Sequence, residues 1–215
     1  MTRRRDRAEL LRSIGAEAAT GDVFDTRTLG EIVGAAKPDA IVHQLTSLPQ
    51  AINPRNIGAQ FAANDRIRVE GTRNLVSAAL GAGVEKVVAQ SIAFVYEPVG
   101  GPVKDESDPL WLAAPDPFAR SVAAVDTLER TVTTTKAIEG VVLRYGYFYG
   151  PGTSYAPDGQ LAEMVRRRRF PIVGSGVWMY SMVHVDDAAA GSCRWARSGG
   201  ARRLQRRRRR ASLGA

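Results

Sequence analysis

The sequence is poor in several features, and each scarcity restricts what the protein can be. Cys193 is the only cysteine among 215 residues, so no internal disulfide can form, which fits a reducing cytoplasm. No run of about 18 apolar residues occurs, so we expect no membrane span. Residues 1–12 are charged rather than apolar, unlike a secretory signal. These absences lead us to expect a cytoplasmic protein that is not bound to a membrane.

Lysine is scarce as well, because only four of the 30 basic residues are lysine. Nine of the arginines lie in residues 194–215, where no acid occurs, and removing them from the net charge of +8 leaves −1 for residues 1–193. An arginine run can bind nucleic-acid phosphates. The arginine bias of the whole chain instead favours a disordered tail without function. We therefore do not expect nucleic acid as a partner.

Motifs for metal binding and hydrolysis are missing. A zinc site needs several convergent ligands at known spacing, and His43 and His184 lie on separate elements. No Gly-x-Ser-x-Gly sequence occurs, which argues against the common serine-hydrolase turn. We expect no metal site. His184 is expected to order the turn before a last helix that Asp186 or Asp187 caps.

Alternating helix and strand patterns run through residues 3–193, followed by the tail at 194–215. Helices are predicted over 3–14, 26–37, 59–80, 118–135, 160–169 and from 186 onward. Strands are predicted over 16–20, 39–43, 84–91, 140–143, 171–173 and 178–183. This order is typical of an α/β fold, a doubly wound parallel sheet with helices on both faces. We expect residues 1–193 to form one domain.

The buried strand pattern that starts at Val84 ends in Gln90 and Ser91 and is followed by Tyr96. Ligands of open α/β sheets lie beyond the carboxyl ends of the strands. Right-handed crossovers bring the loops after successive strands to one edge. Asp22, residues 44–47, residues 91–96 and residues 145–149 are therefore expected to converge there.

Six segments, in order and spacing, resemble the extended and atypical short-chain dehydrogenase/reductases, the NAD-dependent epimerase/dehydratase superfamily. They are residues 21–25, 40–45, 70–76, 91–96, 143–152 and 183–188. The resemblance implies a Rossmann-like fold and a cofactor, NAD or NADP. It also implies a small oxygenated substrate such as a nucleotide sugar, and it leaves a homodimer open.

The resemblance also implies roles for individual residues. Asp22 corresponds to the acid that accepts a hydrogen bond from the adenine amino group, and Leu45 and Thr46 to the loop under the adenine ribose. Tyr145 and Tyr147 correspond to the nicotinamide contact. The remaining expected site residues are Tyr149 for the substrate and Ser91 and Tyr96 for catalysis.

The sequence departs from the family pattern at the catalytic positions. The family uses a tyrosine with a lysine four residues later as its general acid or base. These positions are Phe118 and Val122 here, and the usual strand-end Ser or Thr is Ile92. Tyr96, Tyr145, Tyr147 and Lys104 remain as alternative proton donors.

The Gly-rich turn that binds the cofactor pyrophosphate is also absent from the sequence. The chain matches a family member without its first βαβ elements and most of its C-terminal substrate region, truncated at both ends. We therefore expect weakened cofactor binding and impaired catalysis. A nucleotide-sensing or protein-binding module is the alternative, and nucleic-acid binding through the tail is a third.

Overall fold

A computed structural model describes residues 1–49, 53–170 and 180–198. Its helices are α1 (Arg5–Ser13), α2 (Thr26–Ala36), α3 (Ile57–Arg66), α4 (Thr72–Gly81), α5 (Phe118–Thr134), α6 (Gln160–Arg166) and α7 (Val185–Arg197). Its strands are β1 (Ile41–His43), β2 (Lys86–Ile92), β3 (Glu139–Tyr145), β4 (Tyr147–Tyr149) and β5 (Met182–His184). A π-helical turn (Ile67–Gly71) joins α3 to α4. No helix of these ranges is long and apolar enough to cross a membrane.

The central sheet is parallel and has the strand order β1-β2-β3. His43 of β1 lies opposite Ala89, and Ile92 of β2 lies opposite Tyr145. A second parallel pair joins β4 to β5, with Tyr149 opposite His184. The parallel sheet and its crossover helices confirm the expected Rossmann-like α/β fold.

One face of the central sheet packs against α2, α4 and α5. Val87 and Ala89 of β2 belong to a buried apolar cluster with residues of all three helices. On α5, Leu128 and Val132 lie four residues apart and face this cluster, as expected for one stripe of a helix. The apolar residues of β2 and the apolar stripes of these three helices therefore form the core.

Gly140 lets β3 approach α5 very closely. A Cβ atom at this position would lie 1.8 Å from the carbonyl oxygen of Val132. Only glycine fits, because the obstacle is backbone that cannot rotate away. This contact sets the distance between the last strand of the sheet and its longest helix.

The opposite face of the sheet is covered by α7. Capping of this helix by Asp186 or Asp187 was a wrong prediction, because the N-cap residue is His184. Its Nδ1 accepts a hydrogen bond from the backbone N–H of Asp186 at 3.3 Å. The helix runs past the expected boundary at residue 193 and ends at Arg197.

The predicted strand over 16–20 is wrong, because only Thr20 pairs, with Thr2, in one isolated parallel bridge. The predicted strand over 171–173 lies outside the described residues. Helix α1 is confirmed, but Ala8 is its one buried residue, and Leu10 and Ile14 are exposed. The first part of the chain therefore adds little to the core.

Candidate functional site

The loop that follows β1 is held in place by a buried histidine. His43 accepts a hydrogen bond from the backbone N–H of Leu45 at its Nδ1 (3.2 Å). Its Nε2 therefore carries the proton and donates to the hydroxyl of Thr72 at 2.9 Å. Burial lowers the pKa of His43 to about 4, so the ring is neutral near pH 7. Farther along, the N–H of Ser47 donates to Oδ1 of the buried Asn64 at 3.0 Å.

The strand-end serine of β2 faces α5 and is 2% exposed. The hydroxyl of Ser91 donates to Oε1 of Glu129 at 2.6 Å. Successive side chains of a strand point to opposite faces, so Ser91 shares its face with Ala89 and Val87, two and four residues earlier. Ile92, at the family's Ser or Thr position, packs against an apolar cluster that includes Val95. The catalytic role of Ser91 stays a prediction.

Glu129, which is buried, and Arg144, which is half-buried, form an ion pair beside Ser91. The guanidinium donates from Nε (2.9 Å) and Nη2 (2.6 Å) to the two carboxylate oxygens. Hydrogen bonding to Glu129 raises the pKa of Arg144 well above its usual value, burial opposes this shift, and a hydrogen bond with Tyr96 adds to it. The guanidinium carbon also lies 4.8 Å from the centre of the Tyr96 ring. The predicted catalytic residues Ser91 and Tyr96 are thus joined through one ion pair.

Three tyrosines at the end of β3 and in β4 occupy different surroundings. Tyr145 faces α7, where its hydroxyl donates to the carbonyl of Ala188 at 2.8 Å. Tyr147 is half-buried and stacks on Phe94, with ring centres 5.1 Å apart. Tyr149 is exposed and meets His184 edge to face. Tyr147 is therefore placed beside the turn that follows β2, as expected for converging strand ends.

Asp22 lies in a turn before α2. One carboxylate oxygen accepts the backbone N–H of Phe24 at 3.0 Å, and the other is 3.9 Å from a guanidinium nitrogen of Arg3. Its side chain is 42% exposed. An exposed carboxylate with lone pairs to spare can accept a hydrogen bond from an adenine amine. The geometry fits the role that the resemblance implies, and that role stays a prediction.

The positions of the family's tyrosine and lysine are apolar and packed. Phe118 meets Trp111 edge to face at 6.1 Å, and Val122 has no exposed surface. Neither side chain has a titratable group. The described residues also hold no cluster of three or more potential metal-binding side chains.

Sequence reasoning missed Glu129 and Arg144. The signal for Glu129 was present, because Val122, Val125, Glu129 and Val132 recur at the spacing of one helix face and all are buried. A carboxylate on such a face requires a buried partner. The partner itself could not be identified from spacing.

Comparison with known proteins shows the family and supports the fold. The model of the NAD dependent epimerase/dehydratase family matches residues 1–203, so the chain belongs to that family. A 3-diazoavenalumate denitrifying reductase of Streptomyces sp is 45% identical over 175 residues, covering 78% of this chain and 54% of that protein. A UDP-glucose 4-epimerase of Rhizobium meliloti is 27% identical over 188 residues, covering 79% and 55%.

Among solved structures, dTDP-glucose 4,6-dehydratase from Streptomyces venezuelae, determined with NAD bound, has a TM-score of 0.67 and 26% identity. The match covers 87% of this chain and 57% of that one. The chain spans about half the length of the curated relatives it matches. Its family uses NAD. Binding of the cofactor by Asp22, by Leu45 and Thr46, and by Tyr145 and Tyr147 stays a prediction.

Proposed function

We propose that this chain is part of an NAD(P)-dependent oxidoreductase that reduces a small diazo compound with release of dinitrogen. The observation that carries this proposal is the packed apolar pair Phe118 and Val122 at the positions of the family's tyrosine and lysine. The 45% identity to a relative that bears the name of a denitrifying reductase supports the substrate class.

A reaction on a hydroxyl or carbonyl group moves a proton together with the hydride, which is the task of the tyrosine and lysine. Phe118 and Val122 have no proton to give or take. The diazonium ion R–N₂⁺, which a diazo compound forms by taking a proton from water before it binds, is already an electrophile, and dinitrogen leaves without further protonation. Overall, R–N₂⁺ and one hydride give R–H and N₂, so this reduction is suited to a site without the pair.

The reduced nicotinamide cofactor supplies the hydride when it is bound. The protein's own part is binding and orientation. In this proposal Asp22 accepts from the adenine amine, and the loop at Leu45 and Thr46, fixed by His43, supports the ribose. Tyr145, anchored on α7, and Tyr147 orient the reacting ends, with Tyr149 as a substrate contact.

For epimerisation or dehydration of a nucleotide sugar, we propose that this chain is impaired. Those reactions depend on the proton transfer that Phe118 and Val122 do not provide. The described contacts also leave the hydroxyl of Ser91 bound to Glu129 rather than presented at the sheet edge. The family's usual substrates are therefore the comparison against which the diazo proposal is tested.

The test is turnover of benzenediazonium with NADH or NADPH deuterated at C4. We expect deuterated benzene and dinitrogen, detected by mass spectrometry, to form faster than in a reaction without protein. UDP-glucose and dTDP-glucose serve as comparison substrates and should remain unchanged. No deuterium transfer above the protein-free rate would sink the proposal. Cofactor binding by calorimetry without any turnover would instead favour a nucleotide-sensing module.

A further inference from the structure

Four aromatic rings cluster beyond the ends of β2 and β3, and we call them the aromatic platform: Phe94, Tyr147, Tyr155 and Tyr180. Tyr147 is the central ring. Phe94 stacks on it at 5.1 Å with an angle of 15° between the planes. Tyr155 and Tyr180 meet it edge to face at 5.9 and 5.5 Å.

The outer rings of the platform are open to solvent. Phe94 is 45% exposed, Tyr155 36% and Tyr180 55%. Isolated apolar side chains on a surface are ordinary, but a contiguous exposed aromatic group is typical of a binding site. Stacking on these rings would stabilise an aromatic ligand beyond the effect of removing its apolar surface from water.

The platform stands on regular structure, which holds its rings in place. Phe94 lies in the 3₁₀ turn Ala93–Val95 directly after β2. Tyr147 begins β4, and its backbone N–H donates to the carbonyl of Ser181 at 2.8 Å. Tyr147 is one of the two predicted nicotinamide contacts, and only Gly146 separates it from the other, Tyr145, so the platform includes part of that predicted contact.

Two phenols of the platform, Tyr147 and Tyr155, are held in their neutral form. Burial raises the pKa of Tyr147, and the neighbouring Tyr155 and Tyr180 raise it further. Burial also raises the pKa of Tyr155. Neutral phenol and phenyl rings suit a flat ring rather than a phosphate, which is bound by cations and backbone N–H groups.

We infer that the aromatic platform binds the planar aromatic ring of the substrate and so selects an aromatic diazo compound. This inference rests on the proposed function, because it names the part of that substrate that the protein holds. Tyr147 covers one face of Phe94, so the ligand ring would stack on the outer face of Phe94, which is 45% exposed, directly after the end of β2.

The test uses two neutral probes of similar size, p-cresol and 4-methylcyclohexanol, titrated into the whole 215-residue chain by NMR. We expect p-cresol to bind more tightly and to transfer saturation from the platform rings. Phe94→Leu should weaken p-cresol binding about two- to tenfold, the size of one aromatic contact. Phe94→Tyr should restore it, because the ring returns.

The matched control is Phe170→Leu, the same substitution at a ring that is 40% exposed outside the platform. It should leave p-cresol binding unchanged. Equal binding of the two probes, or equal effects of Phe94→Leu and Phe170→Leu, would overturn the inference.

The same variants separate this inference from the proposed function. Ring binding that depends on Phe94, without deuterium transfer to benzenediazonium, supports the platform and contradicts the reductase proposal. Deuterium transfer that is the same in Phe94→Leu and the unmodified chain supports the reductase and overturns the platform.

Discussion

His43 shows how one residue joins the core to the predicted cofactor loop. It is 3% exposed, and each of its ring nitrogens has a hydrogen-bond partner, Leu45 on one side and Thr72 on the other. Only the neutral ring can accept from Leu45, since both nitrogens of a protonated imidazole are donors. Protonation would therefore disturb the very loop that is predicted to lie under the ribose.

Stability should fall between pH 7 and pH 5 because of His43. Its pKa is about 4 in the folded chain, below its ordinary value of 6.5, so the unfolded chain binds the proton first as the pH falls. This linkage removes about 2 kcal/mol at pH 5. Urea unfolding of His43→Gln should show that much less pH dependence. His184→Asn, the other histidine, should retain the dependence, and its disappearance there would contradict the assignment.

The ion pair of Glu129 and Arg144 should contribute far more to the free energy of unfolding than an exposed ion pair does. Removing one partner of this largely buried pair leaves an uncompensated charge on the half-buried Arg144, so Glu129→Gln should cost about 2–3 kcal/mol of unfolding free energy. Glu31→Gln breaks the exposed pair with Arg27, whose side chains are 89% and 63% exposed, and should cost less than about 1 kcal/mol. Similar losses in urea titrations of the two variants would reject the buried pair.

At the scale of elements, the local patterns predicted most helices and strands but few of their contacts. The apolar stripe of α5 and the β-branched run of β2 are strong local signals, and both elements are confirmed. The strand over 16–20 failed because a strand needs a paired neighbour, and only Thr20 has one. Capping of α7 failed because an imidazole nitrogen can serve as the acceptor in place of a carboxylate.

Replacement by alanine should change the stability in opposite directions at Gly140 and at Gly34. Gly140→Ala places a methyl group against the Val132 backbone and should destabilise by about 3 kcal/mol or more. Gly34, inside α2, has open space around it, so Gly34→Ala should stabilise by about 0.5–1 kcal/mol through helix propensity. Thermal and urea unfolding measure both. A neutral Gly140→Ala variant would show that β3 and α5 can separate without cost.

At the scale of the whole molecule, the parallel sheet gathers strand ends that lie far apart in the sequence. Phe94 and Tyr147 stack although 53 positions separate them in the chain. The hydroxyl of Tyr145 also reaches Ser192 on α7, 3.0 Å away. These contacts bring the ends of β2 and β3 together into one candidate site, although the sequence contains no Gly-rich turn.

The arginine-rich end should be separable from the rest of the molecule. Residues 199–215 contain seven arginines and no acid. Their deletion should leave the melting temperature and NAD affinity unchanged, and any weak, salt-dependent binding of the arginines to duplex DNA should disappear with them. Calorimetry and fluorescence anisotropy measure these quantities. DNA binding that survives the deletion would show that the charge of the tail is not its source.

Most of the element order, the parallel α/β fold, the family and the loss of the tyrosine and lysine followed from the sequence by itself, since periodicity and motif spacing are local properties. The tertiary structure decided which side chains contact one another. Ser91 meets Glu129 across 38 positions of sequence, and Glu129 meets Arg144 across 15. Likewise, the aromatic platform forms only because the fold places Tyr147 of β4 beside Phe94 in the turn after β2. Such contacts join residues that are far apart in the sequence. They depend on how strands pack against helices, which no local pattern encodes.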